Sequence, residues 1–353
     1  MRDNSSDEAS TQRGLHHEDL AVGDTFDCGR STVTREDILA FGRAYDPQPL
    51  HVDEAAAKAT PLGGLCASVW HTCCVMMRLA ADGMLNRVVS LGSPGVEEGR
   101  WMMPVRPGDV VSCRYTVLEK RDLASRPDVG IAKVRVELCN RKGDILAHWG
   151  THQLTRRRHP GPAPSAPPAR RERKAITSLW GECASASPLR PDLYFEDRQL
   201  GELTDLGTHT FAKDEIIAFA RQFDPQPFHL DEAAAKASLF GGLCASGWHS
   251  AAIAVKGDTR ARLEGNKRAR AEGVPLAAYG PAPGFCALSW PRPVYAGDTL
   301  EYRGRLAQKI DLKSSPDRGI LSTEMQARNQ RGEIVFRVRA HILAERREPY
   351  RGV

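Results

Sequence analysis

Two segments of the chain pair a carboxylate with an imidazole at the same spacing. They are D-P-Q-P-L-H, from Asp46 to His51, and D-P-Q-P-F-H, from Asp224 to His229. Two prolines fix two φ angles within each segment, so we expect a stiff turn that directs both side chains to one point. Such a pair suits general acid–base chemistry on a water molecule. The structural alternative is an Asp-Pro turn whose histidine bonds only to the backbone.

Neighbouring elements must hold these pairs in place. Thr34 and Asp37 match a capping box, which predicts the start of a helix, and Pro47 predicts that the helix stops at Asp46. In the stretch 63–81, two glycines introduce residues that are apolar almost all round. A helix without a polar face must be buried, so this stretch predicts a central buried helix.

Three runs rich in β-branched residues follow this helix, near 109–120, 131–139 and 145–154, with the turn signal R-K-G-D between the last two. The alternation is clearest in the second run, which places Val134, Val136 and Leu138 on one face. One buried helix and a mostly antiparallel sheet predict an α+β unit in which the sheet wraps round the helix.

The whole chain is this unit written twice. Residues 41–71 and 219–249 match at 22 of 31 positions without a gap. Further along, the offset between the copies grows by 11 residues, which fall in the polar stretch 256–273 and are predicted to form an inserted surface loop. The predicted organisation is a disordered tail at 1–14, a first domain at 15–155, a Pro/Arg-rich linker at 156–190 and a second domain at 191–347.

Composition excludes several classes of protein. The 353 residues are 41% hydrophobic and 26% charged, as in ordinary globular proteins, with a net charge of +5. The stretch 156–174 holds seven Lys or Arg and one Glu, so the basic excess belongs to a tether and we expect no nucleic-acid partner. No apolar run could span a membrane and the first residues lack a signal-peptide core, so we expect a cytoplasmic protein whose nine cysteines are mostly buried, reduced thiols.

The combined motifs resemble a known family. The spacing D-x-x-P-x-H-x-D, an apolar helix after a glycine pair, and P-V-x-x-G-D occur in that order in both copies. This combination resembles the MaoC-like hydratases, which are R-specific enoyl-CoA hydratases with a hotdog fold. The resemblance implies two hotdog domains that pair within the chain as a double hotdog, with further homo-oligomerisation left open. It also implies reversible addition of water to a 2-enoyl thioester of CoA or acyl carrier protein, without a cofactor.

The resemblance also assigns roles to residues. The catalytic pairs would be Asp46 with His51 and Asp224 with His229. The backbone N–H at the start of the central helix would bind the thioester carbonyl, which corresponds to Val69 in the first copy and Gly247 in the second. Gln48 and Gln226 stand where the family commonly has Asn and would position the substrate. Because the branched side chain of Val69 would obstruct close approach, we expect the second copy to hold the better site.

Other interpretations stay open at this point. The chain could be a hotdog thioesterase, which free thiol release would reveal, or a non-catalytic acyl-CoA binding protein. The pairs His51-x-Asp53 and His229-x-Asp231 lack a third ligand at a sensible spacing, so no metal site is predicted. Trp70-His71 and Trp248-His249 are expected to be core residues, with a role behind the site as the alternative. Cys73 and Cys74 are expected to be inert thiols on the buried helix.

Overall fold

The computed structural model describes residues 14–162, 177–181 and 190–352. The predicted tail, apart from Gly14, and most of the predicted linker lie outside these residues. The first half contains helices α1 (Arg35–Tyr45), α2 (Pro49–Val52), α3 (Glu54–Lys58) and α4 (Val69–Ala80), and strands β1 (Thr25–Val33), β2 (Gly95–Trp101), β3 (Asp109–Asp122), β4 (Val129–Cys139) and β5 (Ile145–Arg156). The second half repeats this order with α5 (Lys213–Phe223), α6 (Pro227–Leu230), α7 (Glu232–Ala237) and α8 (Gly247–Ala271), and with β6 (Leu203–Thr210), β7 (Gly284–Ser289), β8 (Thr299–Asp311), β9 (Arg318–Asn329) and β10 (Ile334–Glu345).

All ten strands form one antiparallel sheet that runs through both halves. Its order is β1-β3-β4-β5-β2-β7-β10-β9-β8-β6, so β2 and β7 pair at the centre and join the two copies. At this junction a Cβ on Gly99 would lie 2.4 Å from the ring of Phe285, which explains the glycine there. The three predicted strands and the R-K-G-D turn are confirmed, and Val134, Val136 and Leu138 are all buried.

The predicted helix before the first pair is confirmed at both ends. Thr34 Oγ1 accepts a hydrogen bond from the backbone N–H of Asp37, and the Asp37 carboxylate accepts one from the backbone N–H of Thr34. The helix ends at Tyr45, and Asp46 is its C-cap with φ of −145°. Pro47 therefore stops the helix where the sequence predicted, and the motif carboxylate follows the last turn directly.

The central helices α4 and α8 pack against strands of their own halves and are buried there, as the apolar stretch predicted for α4. Each begins after a serine that accepts a hydrogen bond from a backbone N–H of the first turn, Ser68 for α4 and Ser246 for α8. Most of α4 is buried. Aromatic contacts cross between the halves around these helices, with Trp149 and Trp248 at 4.8 Å between ring centroids. The two copies therefore share one hydrophobic core.

The prediction of a surface loop at 256–273 is wrong. α8 continues through most of this stretch and is 25 residues long. Thr259, Arg262 and Asn266 recur at spacings of three and four and are buried on one helix face. The polar pattern was misleading because this face meets polar partners in the rest of the chain rather than water.

Part of the predicted linker contacts the second half. Within 177–181, Leu179 is buried, and its backbone N–H donates to Oε1 of Gln326 on β9. The ring of Trp180 stacks against the guanidinium groups of Arg303 and Arg328 at 5.3 and 4.8 Å. These residues bind the outer face of the sheet at β8 and β9 instead of forming a free tether.

Two further sequence predictions concern the whole chain. In the described residues, no helix has the length and apolar character needed to cross a membrane. The eight cysteines within the described ranges are free thiols, and all except the half-buried Cys286 are buried, which confirms the expectation for those eight.

Candidate active site

The second Asp/His pair, which we call the second site, is assembled by two short elements. Asp224 caps the C-terminus of α5, and His229 lies on α6, a single helical turn that begins with Pro227. His229 Nε2 lies 3.5 Å from Asp224 Oδ2, and both residues are buried. His229 Nδ1 is 2.7 Å from the carbonyl oxygen of Cys244, which can only accept, so Nδ1 carries the proton. In the neutral ring, this leaves the lone pair of Nε2 facing the carboxylate.

Two side chains hold the Asp224 carboxylate. Gln226 Nε2 donates to Oδ1 at 2.9 Å, and Ser246 Oγ donates to Oδ2 at 2.6 Å. One N–H of the Gln226 amide thus holds the aspartate, and the same side chain lines the cavity, so its predicted role in substrate positioning stays a prediction. Ser246 was missed, although a serine directly before an apolar helix is a recognisable N-cap signal. Its hydroxyl serves the helix and the carboxylate together.

Gly247 is the first residue of α8 and lies beside this pair. A Cβ at this position would lie 2.3 Å from the ring of Trp290, so glycine lets the helix start pack closely against the tryptophan. The N–H groups of the first helical turn have no intrahelical acceptor, and the helix dipole places partial positive charge there. This helix start is therefore suited to binding an oxygen that develops negative charge.

A cavity of about 480 Å³ opens onto the second site. The residues that it shares with the site are Asp224, Gln226, His229 and Gly247. Its far wall comes from the first half and is mainly apolar, formed by Met77, Leu91, Tyr115, Val136, Trp149 and Leu154. The site therefore combines acid–base groups of one half with an apolar wall of the other.

The first Asp/His pair, which we call the first site, has the same internal geometry. His51 Nε2 lies 3.6 Å from Asp46 Oδ2, and His51 Nδ1 donates to the carbonyl oxygen of Cys66 at 2.8 Å. Ser68 Oγ donates to Asp46 at 2.6 Å, and Gln48 Nε2 donates to Asp46 at 2.8 Å. The sequence repeat thus reproduces the hydrogen bonds of the second site one by one.

The surroundings of the first site differ because the long α8 covers it. Thr259 Oγ1 donates to Asp46 Oδ1 at 3.0 Å, and Arg262 donates to the amide oxygen of Gln48. Neither Asp46 nor His51 lines the 480 Å³ cavity. In the first half, α4 ends at Ala80 and a single π-helical turn, Ala81–Leu85, follows it, and both Ala80 and Leu85 line the cavity of the second site. The 11 extra residues of the second copy therefore close the first site with polar side chains.

The remaining candidate residues lie at the starts of helices or in the buried part of α4. Val69 is the first residue of α4, the position that Gly247 occupies in α8. Asp53 and Asp231 cap the N-termini of α3 and α7, so their carboxylates bind backbone N–H groups. Burial raises the pKa of the Cys73 and Cys74 thiols well above the usual range, in keeping with inert side chains.

The two Trp-His pairs on the central helices are buried, as expected. Nδ1 of His71 and of His249 has no hydrogen-bond partner among the described residues, whereas Nε2 of His249 contacts Glu215. Burial lowers the pKa of His71 to about 4. Trp248 lines the cavity beside the second site.

Two joined hotdog domains, each with an Asp/His pair, define the class of double-hotdog proteins. Comparison with known proteins identifies the family within this class. The model of the MaoC-like domain matches residues 19–138 and 197–326, well over half of the chain. The chain belongs to the MaoC-like dehydratase family, and it carries that domain twice. The resemblance inferred from the motifs is thereby confirmed.

Solved structures agree on the fold. A MaoC domain protein dehydratase from Chloroflexus aurantiacus is 18% identical with a TM-score of 0.74, over 96% of this chain and 99% of that one. A conserved hypothetical protein from Mycobacterium tuberculosis, described as a double hotdog, is 17% identical with a TM-score of 0.67, over 94% of this chain and 98% of that one. The predicted double hotdog is confirmed.

Curated relatives match parts of the chain. Mesaconyl-CoA hydratase from Cereibacter sphaeroides is 31% identical over 96 residues, which are 26% of this chain and 27% of that enzyme. The uncharacterized protein YdeM from Bacillus subtilis is 27% identical over 126 residues, which are 35% of this chain and 87% of that protein. The chain thus spans about a quarter of the length of the hydratase that it matches.

Proposed function

We propose that the second site catalyses the reversible addition of water to a 2-enoyl thioester, giving a 3-hydroxyacyl thioester. The observation that carries this proposal is the convergence of Asp224, His229 and the start of α8 at Gly247 on one largely apolar cavity. A hydratase of a CoA thioester among the relatives supports the same reaction class. We propose a CoA or acyl carrier protein thioester as the substrate.

In the proposed mechanism, a water molecule in the cavity hydrogen-bonds to both His229 Nε2 and Asp224 Oδ2. The lone pair of Nε2 accepts a proton while the water oxygen forms a bond to C3 of the enoyl group. The electron pair of the double bond moves towards the thioester carbonyl, and the resulting enolate oxygen is stabilised by the backbone N–H of Gly247. A proton then passes from the Asp/His pair to C2, so one water is added and the enzyme is unchanged.

Ser246 and Gln226 would act through Asp224. Their hydrogen bonds occupy both carboxylate oxygens and fix the orientation of the carboxylate beside His229. The apolar wall from the first half supports an acyl chain that runs from the second site into the first half. We therefore propose a substrate with a larger apolar acyl group rather than a short polar one.

The experiment is an absorbance assay of the full chain with trans-2-enoyl-CoA substrates of increasing chain length. We expect loss of the enoyl band with formation of 3-hydroxyacyl-CoA, and a higher kcat/KM for longer acyl chains than for the four-carbon substrate. Free thiol release without hydration would instead indicate a thioesterase. Saturable binding without any absorbance change would indicate a binding protein, and either result would reject the proposal.

A further inference from the structure

A group of three potential metal ligands lies in the second half, apart from the Asp/His pair. His209 Nε2 is 3.0 Å from Glu215 Oε2, and His249 Nε2 is 3.3 Å from Glu215 Oε1. One ligand atom from each of the three side chains lies within 4.8 Å of the other two. The residues come from β6, α5 and α8, so the fold alone brings them together.

The first half shows what is specific about this group. The repeat aligns His209, Glu215 and His249 with Ser31, Asp37 and His71. There, Asp37 is committed to the capping box with Thr34. In the second half, Ala212 takes the place of that threonine and gives no side-chain cap, so Glu215 is free to turn towards the two imidazoles.

The geometry and the donor types match a transition-metal site. Two imidazole nitrogens and one carboxylate oxygen are a ligand set that Zn²⁺ and related divalent ions prefer. His249 is buried, and its ring stacks on Phe219 at 4.3 Å with an angle of 7° between the planes, which fixes its orientation. The half-buried side chains of His209 and Glu215 leave solvent access for an ion and for a water as fourth ligand.

We propose that His209, Glu215 and His249 bind a divalent transition-metal ion of the Zn²⁺ type. Glu215 lies in the first turn of α5, whose C-cap is Asp224, and His249 follows Gly247 by two residues on α8. A bound ion would join the two helices that place the carboxylate and the helix-start N–H of the second site. Its role is to brace this scaffold, and the proposal is independent of the reaction assigned to the site.

The test is a zinc titration of the tag-free full chain by competition with a chromophoric zinc indicator. We expect one equivalent to bind to the wild type, and both His209→Ala and Glu215→Gln to weaken the affinity about tenfold or more. The matched control is His152→Ala. His152 lies 3.7 Å from Glu97 but belongs to no three-ligand group among the described residues, so its loss should leave the affinity unchanged.

Thermal unfolding supplies the second measurement. At the same concentration, Zn²⁺ should raise the midpoint of the wild type and of His152→Ala by equal amounts, and it should raise that of Glu215→Gln by clearly less. Glu215→Gln is nearly isosteric and keeps a side chain that can form hydrogen bonds. The test therefore depends on Glu215→Gln if His209→Ala folds poorly. Absence of one-equivalent binding in the wild type, or equal affinity in Glu215→Gln and His152→Ala, would overturn the proposal and leave a hydrogen-bonded triad.

Discussion

At the second site, each oxygen of the Asp224 carboxylate has its own donor. The sequence indicated the aspartate and the histidine because their spacing is unusual, but it missed Ser246, whose signal is the ordinary one of a helix cap. The sequence also assigned the glutamines to the substrate and did not predict that their amides bind the aspartates at 2.8 and 2.9 Å. A side chain that only hydrogen-bonds to a catalytic residue is hard to recognise in a sequence motif, because its role depends on a contact that forms only in the folded protein.

Ser246→Ala tests the role of this donor. Removing a hydrogen bond to a charged group costs about 1.5–3 kcal/mol, so we expect kcat to fall roughly 10- to 100-fold. Ser68→Ala removes the equivalent bond of the first site, and both changes also remove a helix cap, so both should lower the free energy of unfolding by about 2–4 kcal/mol. Steady-state kinetics and urea denaturation would separate the effects, and equal losses of kcat would refute the assignment.

His71 predicts a pH dependence of stability. Its ring stacks on Phe41 at 4.7 Å, and burial lowers its pKa from the usual 6.5 to about 4. Between these values the unfolded chain binds a proton that the folded protein does not, so the contribution of His71 is complete above pH 6.5 and is lost as the pH falls towards 4. We expect the free energy of unfolding to drop between pH 7 and pH 5 by about 2 kcal/mol more in the wild type than in His71→Phe. Identical pH slopes in urea denaturation would disprove this expectation.

At the scale of elements, α8 makes the two halves different. The repeat predicted its buried N-terminal part correctly, but the polar insertion concealed a helical continuation. Thr259 and Arg262 find their partners at Asp46 and Gln48, more than 200 residues earlier in the chain. No local pattern could reveal such partners, because buried polar residues look like surface residues until the fold supplies the hydrogen bonds.

Arg262→Met tests whether this contact supports the fold. Arg262 is buried, donates to the amide oxygen of Gln48 and lies 3.7 Å from Asp192, so its removal deprives two half-buried acceptors of this cation. We expect the free energy of unfolding to fall by about 3 kcal/mol. Arg260→Met, on the exposed face of the same helix, should change it by less than about 0.5 kcal/mol. Urea denaturation measures both, and equal effects would contradict the packing described for α8.

At the scale of the molecule, the two copies of the domain share one sheet and one hydrophobic core, but the first and second sites differ in their surroundings. The internal repeat predicted two copies of one domain, the resemblance to the hotdog family implied their pairing, and the shared sheet and core confirm it. The resemblance also led to the expectation of a better second site, on the basis of Val69. The structure adds a stronger reason, because α8 covers the first site while the first half lines the cavity of the second.

The central claim is that turnover belongs to the second site alone. The most direct measurement is kcat for hydration of an enoyl-CoA by Asp224→Asn and by Asp46→Asn, with circular dichroism as the check that both variants fold. We predict that Asp224→Asn lowers kcat by about 10³-fold or more, while Asp46→Asn stays within about threefold of the wild type and loses stability instead. Comparable losses of kcat in both variants, or a greater loss in Asp46→Asn, would contradict the account.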